Sequence, residues 1–198
     1  MKSIILSALV GAFALVSATA AEIGQGAPAF NAKDINGNVV SLGELRDKVV
    51  VFEWVNFGCP FVNKHYSSGN MQKLQADYTA KGVVWITVNS AAKGNEGFLE
   101  TPKMAELVKE KGNKATHFII DSDGKIGKAF GAKVTPHMFI INKEGMLSYD
   151  GAIDSKATTE KEDLATADKL FANALDAVLA GKEVENAKNQ PYGCGVKY

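Results

Sequence analysis

Three stretches of the chain are apolar almost without interruption, and each is short. Residues 48–55 (KVVVFEWV) and 83–89 (VVWITVN) are runs of β-branched and aromatic side chains, the pattern of strands buried on both faces of a sheet. Residues 117–121 (HFIID) form a third. Glu53 interrupts the first run, so its carboxylate either lies at an edge of the core or is retained for function. Between the runs the period changes. From Pro60, positions Val62, His65, Tyr66, Met71, Leu74, Gln75 and Tyr78 recur at helical spacing until Gly82, with a kink marked by Gly69. Thr101-Pro102 opens a helix that ends at Gly112, and residues 125–131 form a shorter one. Residues 137–142 and 146–149 pair across a turn, and apolar positions from 164 to 179 predict one amphipathic helix before a polar tail with Pro191. Nearer the start, the Asn-Gly turn within residues 34–38 signals a hairpin, and Ser41-Leu-Gly-Glu44 has the form of a capping box. Strands alternating with helices, then a hairpin and a last helix, predict one α/β domain with a mixed sheet.

The first twenty residues follow another rule. Met1-Lys2 gives a positive start, residues 4–16 are apolar but for Ser7 and Gly11, and Ala18-Thr19-Ala20 offers small residues to a peptidase. Thirteen residues at about 1.5 Å rise cover about 20 Å, short of a bilayer core of about 30 Å. The pattern predicts a cleavable export signal over residues 1–20 and a domain over 21–198. With no later apolar run of membrane-spanning length, the product is expected in the periplasm or outside the cell, off the membrane. Disulfides are permitted there. The 22 basic and 22 acidic side chains balance, and Arg46 is the only arginine, so nucleic acid is not an expected partner.

The chemistry centres on Cys59. It follows a buried strand and precedes Pro60, a residue suited to the first turn of a helix, so its sulfur is expected at the positive end of that helix. Such a place lowers a thiol pKa. A buried, inert core cysteine is the plain alternative. Val134-Thr135-Pro136, just before a strand, suggests a cis-proline loop facing the cysteine, and His137 after it is a candidate neighbour. The second cysteine, Cys194, lies between Gly193 and Gly195 in a tail expected to be flexible. It is a resolving thiol, a permanent clamp or a stray, and sequence leaves the three open. His65, His117 and His137 share no short ligand spacing, so neither a metal nor another cofactor is expected.

The runs Glu53-Trp-Val-Asn-Phe-Gly-Cys-Pro-Phe-Val-Asn-Lys-His-Tyr66, 81–90, Val134-Thr-Pro-His-Met138 and Pro191-Tyr-Gly-Cys-Gly-Val-Lys-Tyr198 together resemble the peroxiredoxin-like (redoxin) branch of the thioredoxin superfamily. The resemblance implies a thioredoxin fold with a mixed central sheet, an initial hairpin and an inserted strand–helix unit. It implies Cys59 as the redox-active thiol, Pro136 as the cis-proline beside Thr135, and Asn56, Pro60 and His137 near the substrate. The substrate would be a peroxide or a protein or small-molecule disulfide, and a thioredoxin-like protein the reductant. The sequence also departs from the family. Val62 stands where a Cys-x-x-Cys pair has its second cysteine, Asn56 stands where peroxiredoxins have Thr or Ser, and no arginine follows Cys59. Exchange within one turn is therefore impossible, and any peroxidase rate is expected to be modest. The leading expectation is an exported thiol oxidoreductase resolved by Cys194. The other is a non-catalytic binding module with a structural Cys59–Cys194 bond.

Overall fold

The computed structural model of the chain describes residues 20–198. The expected export signal lies, but for Ala20, outside them. β3 (Val50–Trp54) is the centre of a five-stranded sheet, between β4 (Val84–Asn89) and β7 (His137–Ile141). β5 (His117–Ile120) extends the sheet beyond β4, and β8 (Leu147–Gly151) closes the other edge. β3, β4 and β5 run parallel, whereas β7 is antiparallel to both β3 and β8. This mixed sheet, flanked by helices, is the thioredoxin-like architecture expected from the sequence. β5 is followed in the chain by the helix α4 (Lys125–Phe130).

Every residue of β3 is buried, and alternation sends its side chains to two cores. Val50, Phe52 and Trp54 join Ile86, Val88, Phe139 and Phe130 on one face. Val51 and Val55 join Val62 and Tyr66 of α1 (Pro60–Ser67), Met71 and Tyr78 of α2 (Asn70–Thr79), Met104 of α3 (Thr101–Glu110) and Phe171 of α5 (Leu170–Leu179) on the other. β1 (Asn31–Lys33) and β2 (Val39–Ser41) form the expected hairpin. Asp34 closes it by accepting the Asn36 and Asn38 N–H groups, each at 2.9 Å.

Three local expectations change. Gly69 does more than kink: at φ 77° it adopts the left-handed conformation that glycine reaches without Cβ strain, and it separates α1 from α2. Ser41 opens one short helical turn as expected, the 3-10 turn Leu42–Leu45, but without the side-chain cap of a capping box. The helix expected over residues 164–179 is interrupted, because Ser155 and Asp168 bond to each other through Ser155 N–H to Asp168 O and Asp168 N–H to Ser155 Oγ. That link draws the backbone out of helical form, leaving a 3-10 turn at Lys161–Ala165 and α5. The tail also differs. β9 (Cys194–Gly195) pairs antiparallel with β6 (Val134–Thr135), Val196 N–H bonds Lys133 O at 3.0 Å, and Ala92 N–H bonds Lys197 O at 2.8 Å. The glycine-flanked segment is fixed along the edge of β6.

Candidate functional site: two cysteines at the Thr135 loop

Cys59 ends the loop that leaves β3. Asn56 shapes this loop: its carbonyl accepts the Cys59 N–H and its Oδ1 accepts the Gly58 N–H, both at 2.9 Å. Pro60 follows at the first position of α1, and Cys59 is the residue that precedes the helix, with extended φ −75° and ψ 125°. The helix-start geometry expected from the sequence is therefore present. Cys59 is only 1% exposed, between the exposed Gly58 and Pro60.

The Thr135–Pro136 bond is cis, and Cys59 Sγ lies 3.1 Å from Thr135 O. Cys194 arrives from the other side. It is the partner of Thr135 in the β6–β9 register, and Thr135 Oγ1 donates to Cys194 O at 3.5 Å. Gly193 makes this approach feasible. Its φ is 140°, and a Cβ there would sit 2.0 Å from Thr135 O. Both cysteines are free thiols.

Their electrostatics diverge. Burial pushes the Cys59 thiol up, but hydrogen bonds from the Cys194 thiol, the Val62 and Cys194 N–H groups and Thr135 outweigh it, so the net direction is down. The Thr135 carbonyl opposes this, since a carbonyl oxygen accepts from a thiol and repels a thiolate. Cys194 is pushed up to about 12 by burial, by the hydrogen bond it gives Cys59 and by the Cys59 charge. The two thiols are thus shifted in opposite directions. Lys64, further along α1, is turned to other work: its Nζ is 3.4 Å from Asp154 Oδ2 and donates to Lys156 O at 2.8 Å.

His137, the candidate neighbour after Pro136, is buried with both ring nitrogens partnered. It is 1% exposed, its Nδ1 accepts the Lys133 N–H at 3.3 Å, and its Nε2 is 2.8 Å from Asp150 Oδ1. Both ring nitrogens are committed, and burial pulls its pKa down. Asn56 is 7% exposed, with its Oδ1 already used in the loop, so the structure gives it a shaping role. Glu53 is inside the core, not at an edge. Its carboxylate accepts from Tyr66 Oη at 2.7 Å, Trp85 Nε1 at 2.8 Å, Gln75 Nε2 at 2.9 Å and Thr87 Oγ1 at 3.2 Å. Burial nonetheless pushes its pKa up. Sequence reading passed over two residues beside the site, Asp154 and Tyr192. The signal for the second was an aromatic residue two places before a cysteine. Among the described residues, no three His, Cys, Asp or Glu side chains gather to hold a metal, and no helix is long and apolar enough to cross a membrane.

The Redoxin family model matches residues 22–168, about three-quarters of the chain. This chain belongs to the Redoxin family. Cys59, Thr135 and Pro136 fall inside the matched Redoxin segment, whereas α5 and Cys194 lie beyond it. Among solved structures, the chain is similar to an uncharacterized conserved protein from Geobacillus kaustophilus, with 26% identity and a TM-score of 0.75 over 89% of this chain and 92% of that one. A hypothetical protein from Sinorhizobium meliloti 1021 also has 26% identity, with a TM-score of 0.74 over 91% and 96%. The thioredoxin domain of a thiol-disulfide oxidoreductase from Bacteroides vulgatus shares the fold at 18% identity and a TM-score of 0.52, over 73% and 96%. No curated protein matches the sequence.

Proposed function

We propose that this protein is an exported thiol oxidoreductase in which Cys59 is the attacking sulfur and Cys194 resolves it. The observation that carries the reading is the convergence of both cysteines on Thr135, one through its sulfur and the other through strand pairing. Export rests on the leader pattern of residues 1–20. With a disulfide substrate, the Cys59 thiolate attacks one sulfur and expels the other as a thiolate, giving a mixed disulfide. Cys194 loses its proton, attacks Cys59 Sγ and releases the second half of the substrate as a thiolate. The substrate gains two electrons, the protein holds a Cys59–Cys194 disulfide, and a thioredoxin-like dithiol restores it. With a hydroperoxide, Cys59 takes one oxygen to become a sulfenic acid, the alcohol leaves, and condensation with Cys194 releases water.

Disulfide exchange is the better-supported chemistry. Peroxide cleavage needs donors that meet charge developing on oxygen, and loss of one typically costs about 10²–10³ in rate. The single arginine, Arg46, precedes β3 in the chain, and Asn56 stands where peroxiredoxins have a hydroxyl. The deep burial of Cys59 favours a second reading, a structural Cys59–Cys194 bond in a binding module. A reduction potential below about −300 mV would mark such a bond, and a higher one a working pair. The decisive experiment is cysteine mapping by mass spectrometry after limited oxidation. The parent should lose two hydrogens as a Cys59–Cys194 disulfide, and Cys194→Ser should instead gain two oxygens on Cys59. Cys59→Ser should have no thiol-dependent turnover. Full turnover in Cys59→Ser would reverse the assignment.

A further inference from the structure

We propose that Tyr192 is a latch that holds Cys194 over Cys59, its phenol seated in a socket made by Phe61, Lys64 and His65 of α1 and by Asp154 after β8. The proposal rests on the reading that Cys194 resolves Cys59. The Tyr192 hydroxyl donates to Asp154 Oδ1 and lies 3.4 Å from His65 Nε2. Its ring meets Phe61 edge-on at 5.8 Å, and Lys64 Nζ stands 5.5 Å from the ring centroid.

The socket is organised without the tail. Lys64 is 1% exposed, so its ammonium requires the Asp154 carboxylate 3.4 Å away and the Lys156 carbonyl. Lys156 N–H in turn bonds Asp154 Oδ1 at 2.9 Å. Asp154 Oδ2 is buried, 3.4 Å from Lys64 Nζ and 3.7 Å from His65 Nε2, and accepts no hydrogen bond, while the Tyr192 hydroxyl donates to the other oxygen, Oδ1. Burial and the Asp154 charge push the phenol far above its ordinary pKa, which keeps it a neutral donor.

Position along the chain links this socket to the thiols. Tyr192 and Cys194 are separated by Gly193 alone, and two extended residues span about 7 Å. Without the latch, the nearest upstream side-chain anchor is Asn189, which bonds Ala152 N–H at 2.8 Å and Tyr149 Oη at 3.0 Å. Four residues then separate the anchor from Cys194, five steps with a reach of about 17 Å. Downstream, Val196 N–H on Lys133 O still tethers the tail, so the latch should tune the placement of Cys194 and not abolish it. Tyr192 is thus a positioning residue, since it touches neither sulfur.

The test uses the full chain as parent, Tyr192→Phe and Tyr192→Ala. In the reduced proteins, Cys59 labelling is timed with a bulky maleimide and with iodoacetamide, and the ratio of rates cancels any change in thiolate population. Hydrogen peroxide is then added and the split between Cys59–Cys194 disulfide and Cys59 sulfinic acid is measured. Loss of a hydrogen bond to a charged group predicts a rise of about tenfold in the bulky-to-small ratio for Tyr192→Phe, and more for Tyr192→Ala. The oxidised product should shift toward sulfinic acid in the same order, with melting temperature little changed. Variants that label and close like the parent would overturn the latch. A parent that never forms the disulfide, while its variants expose Cys59, would sink the resolving role of Cys194 and leave the latch standing.

Discussion

Cys59 is held by residues of the core, whereas Cys194 is held by a strap, residues 192–198, laid across the surface of that core. β3 and α1 flank Cys59 on either side, and both are anchored by fully buried side chains such as Trp54 and Val62. The strap depends on a few separate fixings: Tyr192 in its socket, β9 on β6, Lys197 O on Ala92 N–H, and Tyr198 Oη on Ala132 O at 2.8 Å. The difference separates two properties that exchange chemistry needs together. Part of what lowers the Cys59 pKa, the Val62 N–H, belongs to the helix start, which global folding fixes, and part, the Cys194 thiol and N–H, belongs to the strap. Proximity of the second thiol is built into local contacts that can change without unfolding the sheet.

The strap should therefore be the easier half to break, and Gly193 is where the effect is largest. Alanine there would place Cβ 2.0 Å from Thr135 O at a backbone φ of 140° that side chains disfavour. β9 would have to leave β6, and Cys194 would leave the site with it. Connecting two groups in one chain commonly contributes a factor of about 10²–10⁴, so Gly193→Ala should lower the equilibrium constant of the Cys59–Cys194 disulfide against glutathione by about 10² or more. An unchanged constant would show that pairing with Thr135 does not set the distance.

The same contrast explains what sequence could and could not show. Strands 50–54 and 84–89 were legible because their apolar runs admit no surface position, and Pro60 after Cys59 marked a helix start. The docking of the tail was not legible. Gly193 and Gly195 read as slack, yet Gly193 is the residue that allows the closest approach in the site. Tyr192 and Asp154 meet across 38 positions, a separation that no periodicity encodes. His137 follows Pro136 directly in sequence, but that its ring would meet the Lys133 N–H and Asp150 of β8 was not legible there.

A smaller effect tests whether reactivity is separate from proximity. Cys59 is lowered and Cys194 is raised to about 12, so between pH 6 and 7 iodoacetamide should label Cys59 faster, by about tenfold or more, despite its burial. In Cys194→Ala, Cys59 loses a hydrogen bond to its thiolate, and its labelling profile should move to higher pH. Equal labelling of the two thiols across this range would place the acidity elsewhere. An unshifted profile in Cys194→Ala would mean that the helix start alone sets the Cys59 pKa.

The smallest expected effect lies in the core beneath the site. Glu53 is 0% exposed with four neutral donors and, among the described residues, no cation paired with it, and burial raises its pKa above the ordinary 4.5. Between the unfolded and folded values, the native state holds more protons than the unfolded chain. Stability from this group is thus full below about pH 4.5 and is lost as pH rises through the folded pKa. Glu53→Gln removes that proton exchange. Its amide oxygen can accept from Trp85 Nε1, and its amide N–H can donate to Tyr66 Oη, whose hydroxyl then turns to another acceptor. The melting temperature of Glu53→Gln should therefore fall less than the parent's from pH 4.5 upward, by a few degrees at most over the range. Cys59 labelling at a fixed pH should be the same in both, since Glu53 is not among the groups that shift the Cys59 thiol. Parallel melting curves against pH in parent and variant would remove Glu53 from the pH response. A slowed Cys59 with unchanged stability would instead tie the core carboxylate to the thiol, and would make the helix start and the sheet beneath it one electrostatic unit.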